Sequence, residues 1–456
     1  MKVIIVGGGK VGKTIIQSML KEKHEVVLID NDPDVVGNVT NLYDVMGICA
    51  NGTEYEKLLE AGADKADLFI SVTGSDELNM LSCFAAKKIG AHHTVARVRN
   101  SEYNTASWGF MKRQLEISMA VNPEKLAAEA IYDILKLPSA TKVESFTARS
   151  FEMIEITVKK GSAIDGITLI GLRKRFNEKF LVCVVQREDE VFIPNGTFKL
   201  LSGDKIGVMV TNDDAHSILK NFGYAAKEAK DIMLVGASKT ALYLADMLLK
   251  GRSSVKIIEK DPEICEEACE KLSSRATIVC GDGMSQETLL EEGINGLDAL
   301  VALTDRDEEN ILISFYALSR KVKKVIAKVN RNELSSISEN LGLETTFSPK
   351  NIVADILVRY ARAIGNSIGS KVETFYSLFG GNAEALEFNV EQNFEYAGVP
   401  LKEIELKSGI LIAGITRGNE ALIPGGDDCI CVGDKVIVIA KGERLCDLSD
   451  ILKRRL

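Results

Sequence analysis

The stretch Lys2–Gly12, "KVIIVGGGKVG", decides the fold, because a short β-branched run leads directly into a glycine-rich turn. The spacing Gly7-x-Gly9-x-x-Gly12 is typical of the turn between the first strand and first helix of a dinucleotide-binding sheet. There the first glycine permits a tight turn, the second lets the backbone approach a pyrophosphate, and the third allows close helix packing. The helix amides then face the phosphate charge. The candidate cofactor contacts in this loop are Gly7, Gly8, Gly9, Lys10, Val11 and Gly12.

The next β-branched run, "EVVLID", ends at Asp30, close to the roughly 20-residue spacing at which such sheets place a ribose-binding acid. A carboxylate there accepts hydrogen bonds from both adenosine ribose hydroxyls and repels a 2′-phosphate. Asp30 therefore favours NAD(H) over NADP(H) as the ligand of this site.

The same series of sequence motifs occurs twice in the chain. The stretch "LIDNDPDV" (Leu28–Val35) returns as "IIEKDPEI" (Ile257–Ile264), and "LLEAGADKADLFISVTGSDELN" returns as "LLEEGINGLDALVALTDRDEEN". Towards the end of each copy, "IPNG…SGDKIGV" returns as "IPGG…VGDKVIV". A repeat of about 230 residues indicates a tandem duplication covering nearly the whole chain.

Each copy begins with β-branched runs alternating with amphipathic helical stretches, the pattern of a parallel α/β sheet. Each copy then continues through a connecting helix into short strands, glycine turns and one short helix. The fold class predicted is α/β, with two Rossmann-like doubly wound parallel-sheet domains alternating with two small α+β domains. The predicted boundaries are 1–122 and 229–348 for the Rossmann-like domains, 123–142 and 349–370 for the connecting helices, and 143–226 and 371–456 for the small domains.

Composition narrows the function further. The 456 residues carry a net charge of −9, which disfavours nucleic acid as a partner because phosphate neutralisation needs clustered positive charge. The basic end at Lys453–Arg455 is a local exception, which we predict to be solvated. No run of about 20 apolar residues and no export signal occurs, so the sequence predicts a cytoplasmic protein without a membrane span.

The nine cysteines include no C-x-x-C pair, so neither a disulfide framework nor a zinc ribbon is indicated. Cys265 with Cys269, and Cys429 with Cys431, have spacings compatible with a metal. We predict ordinary apolar packing for both pairs and no metal site.

The second copy changes the glycine pattern to Gly236-x-Ser238-x-x-Ala241 but keeps an acid, Glu259. The hydroxymethyl group of Ser238 narrows the approach to a pyrophosphate, so the second site is predicted to bind a nucleotide that can differ from the ligand of the first site. The candidate contacts of the second site are Gly236, Ser238, Lys239, Thr240, Glu259 and Thr304.

The fourth strands end at Thr73 with Gly74 and at Thr304 with Asp305, on the edge where such sheets bind ligands. Arg97 and Lys328 match across the copies at the fifth strand, where each could neutralise a phosphate or form a structural ion pair. The acids that follow the fourth strands are expected to stabilise helix starts. They are Asp76, Glu77, Asp307 and Glu308.

An oxidoreductase would also need a group that transfers a proton. The four histidines, His24, His92, His93 and His216, fall in no repeated motif, and His92 and His93 are expected to be plain surface residues. No G-x-S-x-G elbow, H-E-x-x-H helix or Walker lysine occurs. The sequence therefore predicts a cofactor site without catalytic residues.

Together the motifs "VGGGKVG" with Asp30, "LLEAGADKADLFISVTGSDELN", "ARVR" and "IPNG…GD", with their second copies, resemble the tandem RCK family of Trk-type potassium uptake regulators. The resemblance covers essentially the whole chain. It implies NAD(H) in the large domains, in some members ATP, and small domains that act as dimer or ligand modules. The NAD contacts that it implies are Gly7 to Val11, Asp30, Thr73, Gly74 and Arg97.

The resemblance also implies an assembly, a homo-oligomeric ring that is expected to be a tetramer. It implies that this ring lies peripherally on the inner face of the cell membrane, where its partner is a potassium channel or transporter subunit of the TrkH/TrkG type. Two alternatives stay open at this point. One is an NAD-dependent dehydrogenase with duplicated cofactor domains, and the other is the regulator of a potassium/proton antiporter.

Overall fold

The computed structural model describes residues 1–100, 103, 106–146, 150–188, 190–224, 227–272, 274–366, 372–442 and 445–453. Within them lie two six-stranded parallel sheets, each followed by a five-stranded antiparallel sheet. The predicted fold class is therefore confirmed. Arg454 and Arg455 of the predicted basic end lie outside the described residues, as do residues 226, 370, 371 and 456 at the predicted domain limits.

The first large domain has the strand order β3-β2-β1-β4-β5-β6. Its strands are β1 (Lys2–Val6), β2 (Glu25–Asp30), β3 (Met46–Cys49), β4 (Leu68–Ser71), β5 (His93–Arg97) and β6 (Met119–Val121). Its helices are α1 (Lys10–Lys21), α2 (Pro33–Leu42), α3 (Tyr55–Glu60), α4 (Asp76–Ile89) and α5 (Ala106–Gln114). Because helices cover both faces of the sheet, β1 is buried along Val3–Val6 rather than alternating. The order reverses between β1 and β4, which opens a crevice at their carboxyl ends.

The connecting helix α6 (Pro123–Lys136) leads into the first small domain, whose strand order is β10-β9-β11-β8-β7. Its elements are β7 (Lys142–Phe146), β8 (Phe151–Thr157), α7 (Leu169–Arg175), β9 (Phe180–Arg187), β10 (Glu190–Phe192), β11 (Lys205–Thr211) and α8 (Ala215–Asn221). The prediction of one short helix is wrong here, since two are present.

The second large domain repeats the first, with the order β14-β13-β12-β15-β16-β17. Its strands are β12 (Asp231–Val235), β13 (Ser254–Glu259), β14 (Ala276–Cys280), β15 (Ala299–Ala302), β16 (Lys324–Lys328) and β17 (Thr346–Phe347). Its helices are α9 (Lys239–Lys250), α10 (Pro262–Lys271), α11 (Gln286–Glu291), α12 (Asp307–Ser319) and α13 (Asn332–Asn340).

The connecting helix α14 (Pro349–Asn366) precedes the second small domain, ordered β18-β19-β22-β20-β21. Its strands are β18 (Val372–Leu378), β19 (Ala383–Asn389), β20 (Ile410–Arg417), β21 (Glu420–Leu422) and β22 (Lys435–Ala440). Among the described residues this domain has only 3-10 turns and no α-helix, so the predicted short helix is wrong here as well.

Each connecting helix packs on the large domain of the other copy. Helix α6 lies against α9, and α14 lies against α1. The apolar face of α6, around Ile131 and Leu135, is buried with Leu244 and Leu248 of α9. This exchange brings the two large domains together beside their crevices.

The two small sheets also share a core. Phe146 and Phe151 of the first sheet are buried with Tyr376 and Leu378 of the second. The ring centroids of Phe146 and Tyr376 are 4.2 Å apart. The duplicated halves are thus joined by apolar packing both at the large domains and at the small domains. In the described part of the chain, no helix combines the length and apolar composition required to cross a membrane.

Candidate functional site

A cavity of about 940 Å³ lies where the glycine-rich turn of the first half meets the second half. Its first-half lining includes Gly7, Gly9, Lys10, Val11, Asp30, Thr73, Gly74 and Arg97. The second half contributes Ser238, Lys239, Thr240, Asp305, Lys328 and Lys350. Most of the residues predicted for the first site therefore converge on one cavity, which is shared between the two copies.

The glycines of the first loop have different structural roles. Gly7 adopts φ +100°, and a Cβ there would lie 3.1 Å from the backbone of Val72 and Thr73. A Cβ on Gly12 would lie only 1.8 Å from the carbonyl oxygen of Gly7. Gly9 has no atom within 4 Å of its ideal Cβ position. The fold thus requires Gly7 and Gly12, whereas Gly9 leaves space at the start of α1.

Asp30 holds the glycine-rich loop from the end of β2. Its Oδ2 accepts a hydrogen bond from the Gly8 amide at 2.6 Å, and its Oδ1 accepts one from the Asp32 amide at 3.0 Å. Glu259 repeats the arrangement, since its Oε2 accepts from the Ala237 amide at 2.8 Å. The Oε1 of Glu259 also accepts from the amides of Lys260 at 2.8 Å and Asp261 at 3.0 Å. A carboxylate offers about four acceptor positions, so Asp30 retains about two for ribose hydroxyls and Glu259 about one.

Asn79, a fully buried residue on α4, is not among the contacts predicted from the sequence. Its Oδ1 accepts from the amide and the hydroxyl of Thr73, both at 2.7 Å, and its Nδ2 donates to the Arg97 carbonyl at 3.0 Å. Asn310 makes the equivalent bonds to Thr304 and Lys328. This asparagine joins the ends of the fourth and fifth strands in both copies, and its recurrence in "SDELN" and "RDEEN" was the available signal.

Asp76 does more than stabilise a helix start. It is buried, and its Oδ2 accepts from the amides of Arg99 and Asn100, both at 2.8 Å. Asp307 accepts in the same way from the Arg331 amide at 2.9 Å. Burial acts to raise the pKa of Asp307, but hydrogen bonds from Asn330 and Arg331 outweigh it and the pKa is lowered. These two acids fix the loop that follows the fifth strand.

The cations at the ends of the fifth strands line the shared cavity and also have acidic neighbours. Arg97 Nη2 lies 3.5 Å from Glu124 Oε1, and Lys328 Nζ lies 3.5 Å from Asp305 Oδ1. Burial lowers the pKa of Arg97, against the opposing effect of Glu124. Arg97 Nε and Ser238 Oγ are both buried without a hydrogen-bond partner among the described residues. A polar ligand bound in the cavity would give these two atoms the hydrogen-bond partners that they lack.

A second cavity, of about 380 Å³, lies at the crevice of the second large domain. It is lined by Gly236, Ser238, Glu259 and Thr304, as predicted for the second site. Lys239 and Thr240 were predicted there too, but the structure places them on the shared cavity. The first turn of α9 therefore faces the first-half ligand site.

Gly8 and Gly12, the other two predicted contacts, lie in the glycine-rich loop without lining the cavity. The neighbouring histidines His92 and His93 line neither cavity. His92 is exposed, but His93 is half-buried, with its Nδ1 3.4 Å from the Tyr360 hydroxyl. Burial is the main cause that lowers the pKa of His93. Over the described ranges, no group of three or more His, Cys, Asp or Glu side chains is arranged to hold a metal.

Comparison with known families matches residues 3–123 and 232–349 to the TrkA-N domain, and residues 153–223 and 385–453 to the TrkA-C domain. The chain belongs to the TrkA family of Trk system potassium uptake proteins. A TrkA homolog from Archaeoglobus fulgidus is 31% identical over 99% of this chain and 100% of its own length. TrkA homolog 1 from Methanosarcina mazei is 30% identical, with the same coverage of both chains.

Solved structures agree on the fold. The GsuK RCK domain superposes with a TM-score of 0.63 at 16% identity, over 97% of this chain and 92% of that one. The GsuK channel bound to NAD has the same TM-score and identity, over 97% and 77% of the two chains. The resemblance to the tandem RCK family predicted from the motifs is thus confirmed for family and fold.

Proposed function

We propose that this TrkA-family chain is a nucleotide-sensing regulatory subunit of a potassium uptake system. The observation that carries the proposal is the shared cavity, because a ligand within it touches both large domains. Family membership supports the link to potassium uptake. The ligand can then regulate the partner by changing the arrangement of the two large domains, because a ligand that binds two arrangements with different affinities shifts the population between them.

The ligand proposed for the first site is NAD(H). The helix α1 amides face a pyrophosphate across the open space beside Gly9, and Asp30 takes the ribose hydroxyls with its remaining lone pairs. The cavity volume of about 940 Å³ is near the upper end of ordinary small-molecule pockets. Arg97 and Lys328 contribute positive charge at the edge where the two halves meet.

The ligand of the second site is proposed as NAD(H) or ATP/ADP. Its cavity of about 380 Å³ is smaller, and the Ser238 side chain occupies the position that Gly9 leaves open. Glu259 supports a ribose there as Asp30 does in the first site. A ligand with a single ribose fits this smaller space better than a complete dinucleotide.

The proposal is of a sensor rather than an enzyme. No histidine, cysteine or tyrosine is found among the described residues that line either cavity. Lysine, aspartate and glutamate side chains do line the cavities and can transfer protons, so the consumption of NADH is the measurement that separates a sensor from the dehydrogenase alternative. Incubation with NADH and a panel of small hydroxy and keto acids is expected to leave NADH absorbance unchanged, and oxidation at enzyme-like rates would refute the proposal.

We further propose a closed ring, expected to be a tetramer, on the cytoplasmic face of a membrane potassium channel or transporter subunit. Matched leucines on the outer helices support self-assembly: Leu81 on α4 is 54% exposed and Leu312 on α12 is 58% exposed. Leu59 and Leu290 are exposed in the same matched way. Light scattering that finds a monomer at micromolar concentration would contradict the ring.

The decisive experiment compares matched acids. Asp30→Ala is expected to weaken NAD(H) binding by about 1.5–3 kcal/mol, the range for hydrogen bonds to a charged group. Glu259→Ala serves as the control, because it removes the equivalent acid from the other lobe. Calorimetry that finds equal losses of first-site affinity in both variants would contradict the assignment.

Coupling to the membrane partner can be tested in both directions. If the partner binds two shapes of the ring with different affinities, adding the partner must change the affinity of the ring for the nucleotide. By linkage, the nucleotide must change the affinity of the ring for the partner by the same factor, about 5- to 150-fold for typical couplings. NADH, NAD⁺, ATP and ADP are titrated with and without the solubilised partner, and potassium flux is recorded from vesicles. Unchanged flux together with unchanged affinities would refute the regulatory role.

A further inference from the structure

A third cavity, of about 670 Å³, lies at the end of the second parallel sheet that is opposite to the nucleotide crevice. It lies beside the first residues of β12, β15 and β16, whereas the crevice of such sheets is at the carboxyl ends of the strands. Its walls come from the first small domain, from residues 227–230 and from the second large domain. It shares no lining residue with either nucleotide cavity, so a ligand there would contact both copies at a separate place.

Lys324, the first residue of β16, places a buried amine on this cavity. The residue is only 6% exposed, and its Nζ donates to the Ala140 carbonyl at 2.5 Å and to the Thr345 hydroxyl at 2.8 Å. Both acceptors are neutral, and no carboxylate pairs with Lys324 among the described residues. An ammonium group has three donors, and a buried charge normally has an opposite charge beside it. An anion in the cavity would supply that charge and accept the third hydrogen bond.

The cavity has an excess of positive charge, although the chain as a whole carries −9. Two of its lysines have acidic partners that also line it. Lys230 Nζ lies 2.7 Å from Glu228 Oε2, and Lys323 Nζ lies 2.7 Å from Asp298 Oδ1. The other charged residues among the described lining are Lys159, Lys227, Lys324 and Glu344. Lysines therefore outnumber carboxylates in this remaining set.

Lys159 brings a second unpaired cation to the cavity from the first small domain. It lies close enough to Lys324 for its charge to act on the pKa of that amine. Its Nζ lies 5.7 Å from the centroid of the Tyr224 ring, and over the described ranges no carboxylate pairs with it. An anion bound between the two lysines would relieve their mutual repulsion and join the two domains that carry them.

The remaining surface of the cavity includes buried apolar side chains, namely Ala229, Val325 and Leu343. The hydroxyl of Tyr224 is already used, because it donates to the Thr157 carbonyl at 2.8 Å and accepts from the Lys159 amide at 3.1 Å. Pockets for small molecules commonly combine an apolar wall with a few polar groups, in volumes of about 300–1,000 Å³. A ligand with one charged end and an apolar body fits this description.

We propose that this cavity binds a small organic anion, whose carboxylate or phosphate group lies between Lys159 and Lys324 and whose apolar body lies against Val325 and Leu343. No covalent bond is made or broken. The proposal does not depend on nucleotide binding, because the nucleotide cavities lie at the other end of the sheet.

Proton uptake is expected to accompany binding. Burial lowers the pKa of Lys324 to about 7, while Glu344 acts to raise it and Lys159 to lower it. An anion beside the amine favours the charged form and so raises this pKa. At about pH 8 each bound anion should therefore take up close to one proton, which calorimetry in buffers of different ionisation enthalpy measures.

The test titrates the full-length protein with phenyl phosphate and, separately, with benzoate, which distinguishes the two possible charged groups. Inorganic phosphate and benzyl alcohol, which supply the charge or the ring alone, should bind more weakly. Lys324→Met and Lys159→Met should each weaken the tighter probe by about 10- to 150-fold, the range for one hydrogen bond or ion contact to a charged group. Absence of saturable binding of both probes, or an unchanged affinity in either variant, would overturn the proposal.

Matched variants separate this site from general charge effects and from the nucleotide cavities. Lys159 is exposed, so Lys159→Met keeps the proposal testable if Lys324→Met fails to fold. Lys160→Met changes the adjacent exposed lysine, which does not line the cavity, and should keep probe affinity. Arg97→Met, in the shared nucleotide cavity, should keep it too. An equal loss in Lys160→Met or Arg97→Met would place the probe elsewhere and overturn the assignment.

Discussion

Replacing Asn79 by Ala should loosen the first ligand site although Asn79 does not line the cavity. The substitution removes the acceptor of the Thr73 amide and the donor to the Arg97 carbonyl. A buried polar group left without its partner costs about 1–3 kcal/mol. Since a water molecule can replace part of the lost bonding, we expect the local opening free energy to fall by about 2–4 kcal/mol.

Hydrogen–deuterium exchange measures this change at the site itself. A loss of about 2–4 kcal/mol corresponds to exchange of the Thr73 amide that is about 30- to 900-fold faster. The peptide covering residues 70–80 reports this amide by mass spectrometry. First-site nucleotide affinity should fall in parallel, because Thr73 and Arg97 are the residues that Asn79 holds in register.

The duplication provides matched controls for this prediction. Asn310→Ala should speed exchange at Thr304 and leave Thr73 unchanged, because Asn310 holds the equivalent strand ends in the second copy. Asn38→Ala, at an exposed position on α2, should change neither. This role of Asn79 would be refuted if the Thr73 amide stayed protected in Asn79→Ala, or if either Asn79→Ala or Asn310→Ala loosened both sites equally.

Two further predictions concern buried charges at contacts between the copies. Burial lowers the pKa of Lys324 to about 7, so between pH 7 and 10.5 the unfolded state binds more protons than the folded state. The free energy of unfolding therefore rises with pH by up to about 1.4 kcal/mol per pH unit, and Lys324→Met should reduce the rise between pH 7.5 and 9.5 by about 2–3 kcal/mol in urea titrations. An identical rise in the variant and the unmodified protein would contradict this prediction. Arg362 donates hydrogen bonds to both Glu22 and Glu384. Arg362→Met should therefore lower the free energy of unfolding by about 2–4 kcal/mol, and adding Glu22→Gln and Glu384→Gln should restore most of that loss because no unpaired carboxylate remains. Simple additivity of the three changes in unfolding free energy would contradict a coupled network.

Much of the first site could be predicted because its chemistry is local. Gly7 must adopt a positive φ and Gly12 must lack a Cβ, and both demands arise within one turn whose residue spacing is visible in the sequence. Asp30 could be placed for the same reason, since the end of the second strand adjoins that turn. The duplication, and with it the alternation of large and small domains, was visible as repeated motifs.

The asparagines show where local reasoning stopped. The stretches "SDELN" and "RDEEN" predict only a polar helix start, whose acids stabilise the positive end of the helix dipole. The importance of Asn79 depends on the Arg97 carbonyl, which is brought beside it only when β5 pairs with β4. The position of Lys239 and Thr240 on the shared cavity could not be predicted for a similar reason, because the sequence cannot indicate which neighbour the first turn of α9 faces.

The sequence by itself determined the type of each lobe, the loop that can hold a phosphate and the acid beside it, because these depend on residues within a few turns of one another. Only the tertiary structure decided that α6 and α14 each cross to the other copy. An amphipathic pattern specifies that a helix buries one face, but the surface against which it is buried follows from competition between contacts far apart in the chain. That crossing places both copies around a single cavity, and the sharing of this cavity is the basis of the function proposed for the chain.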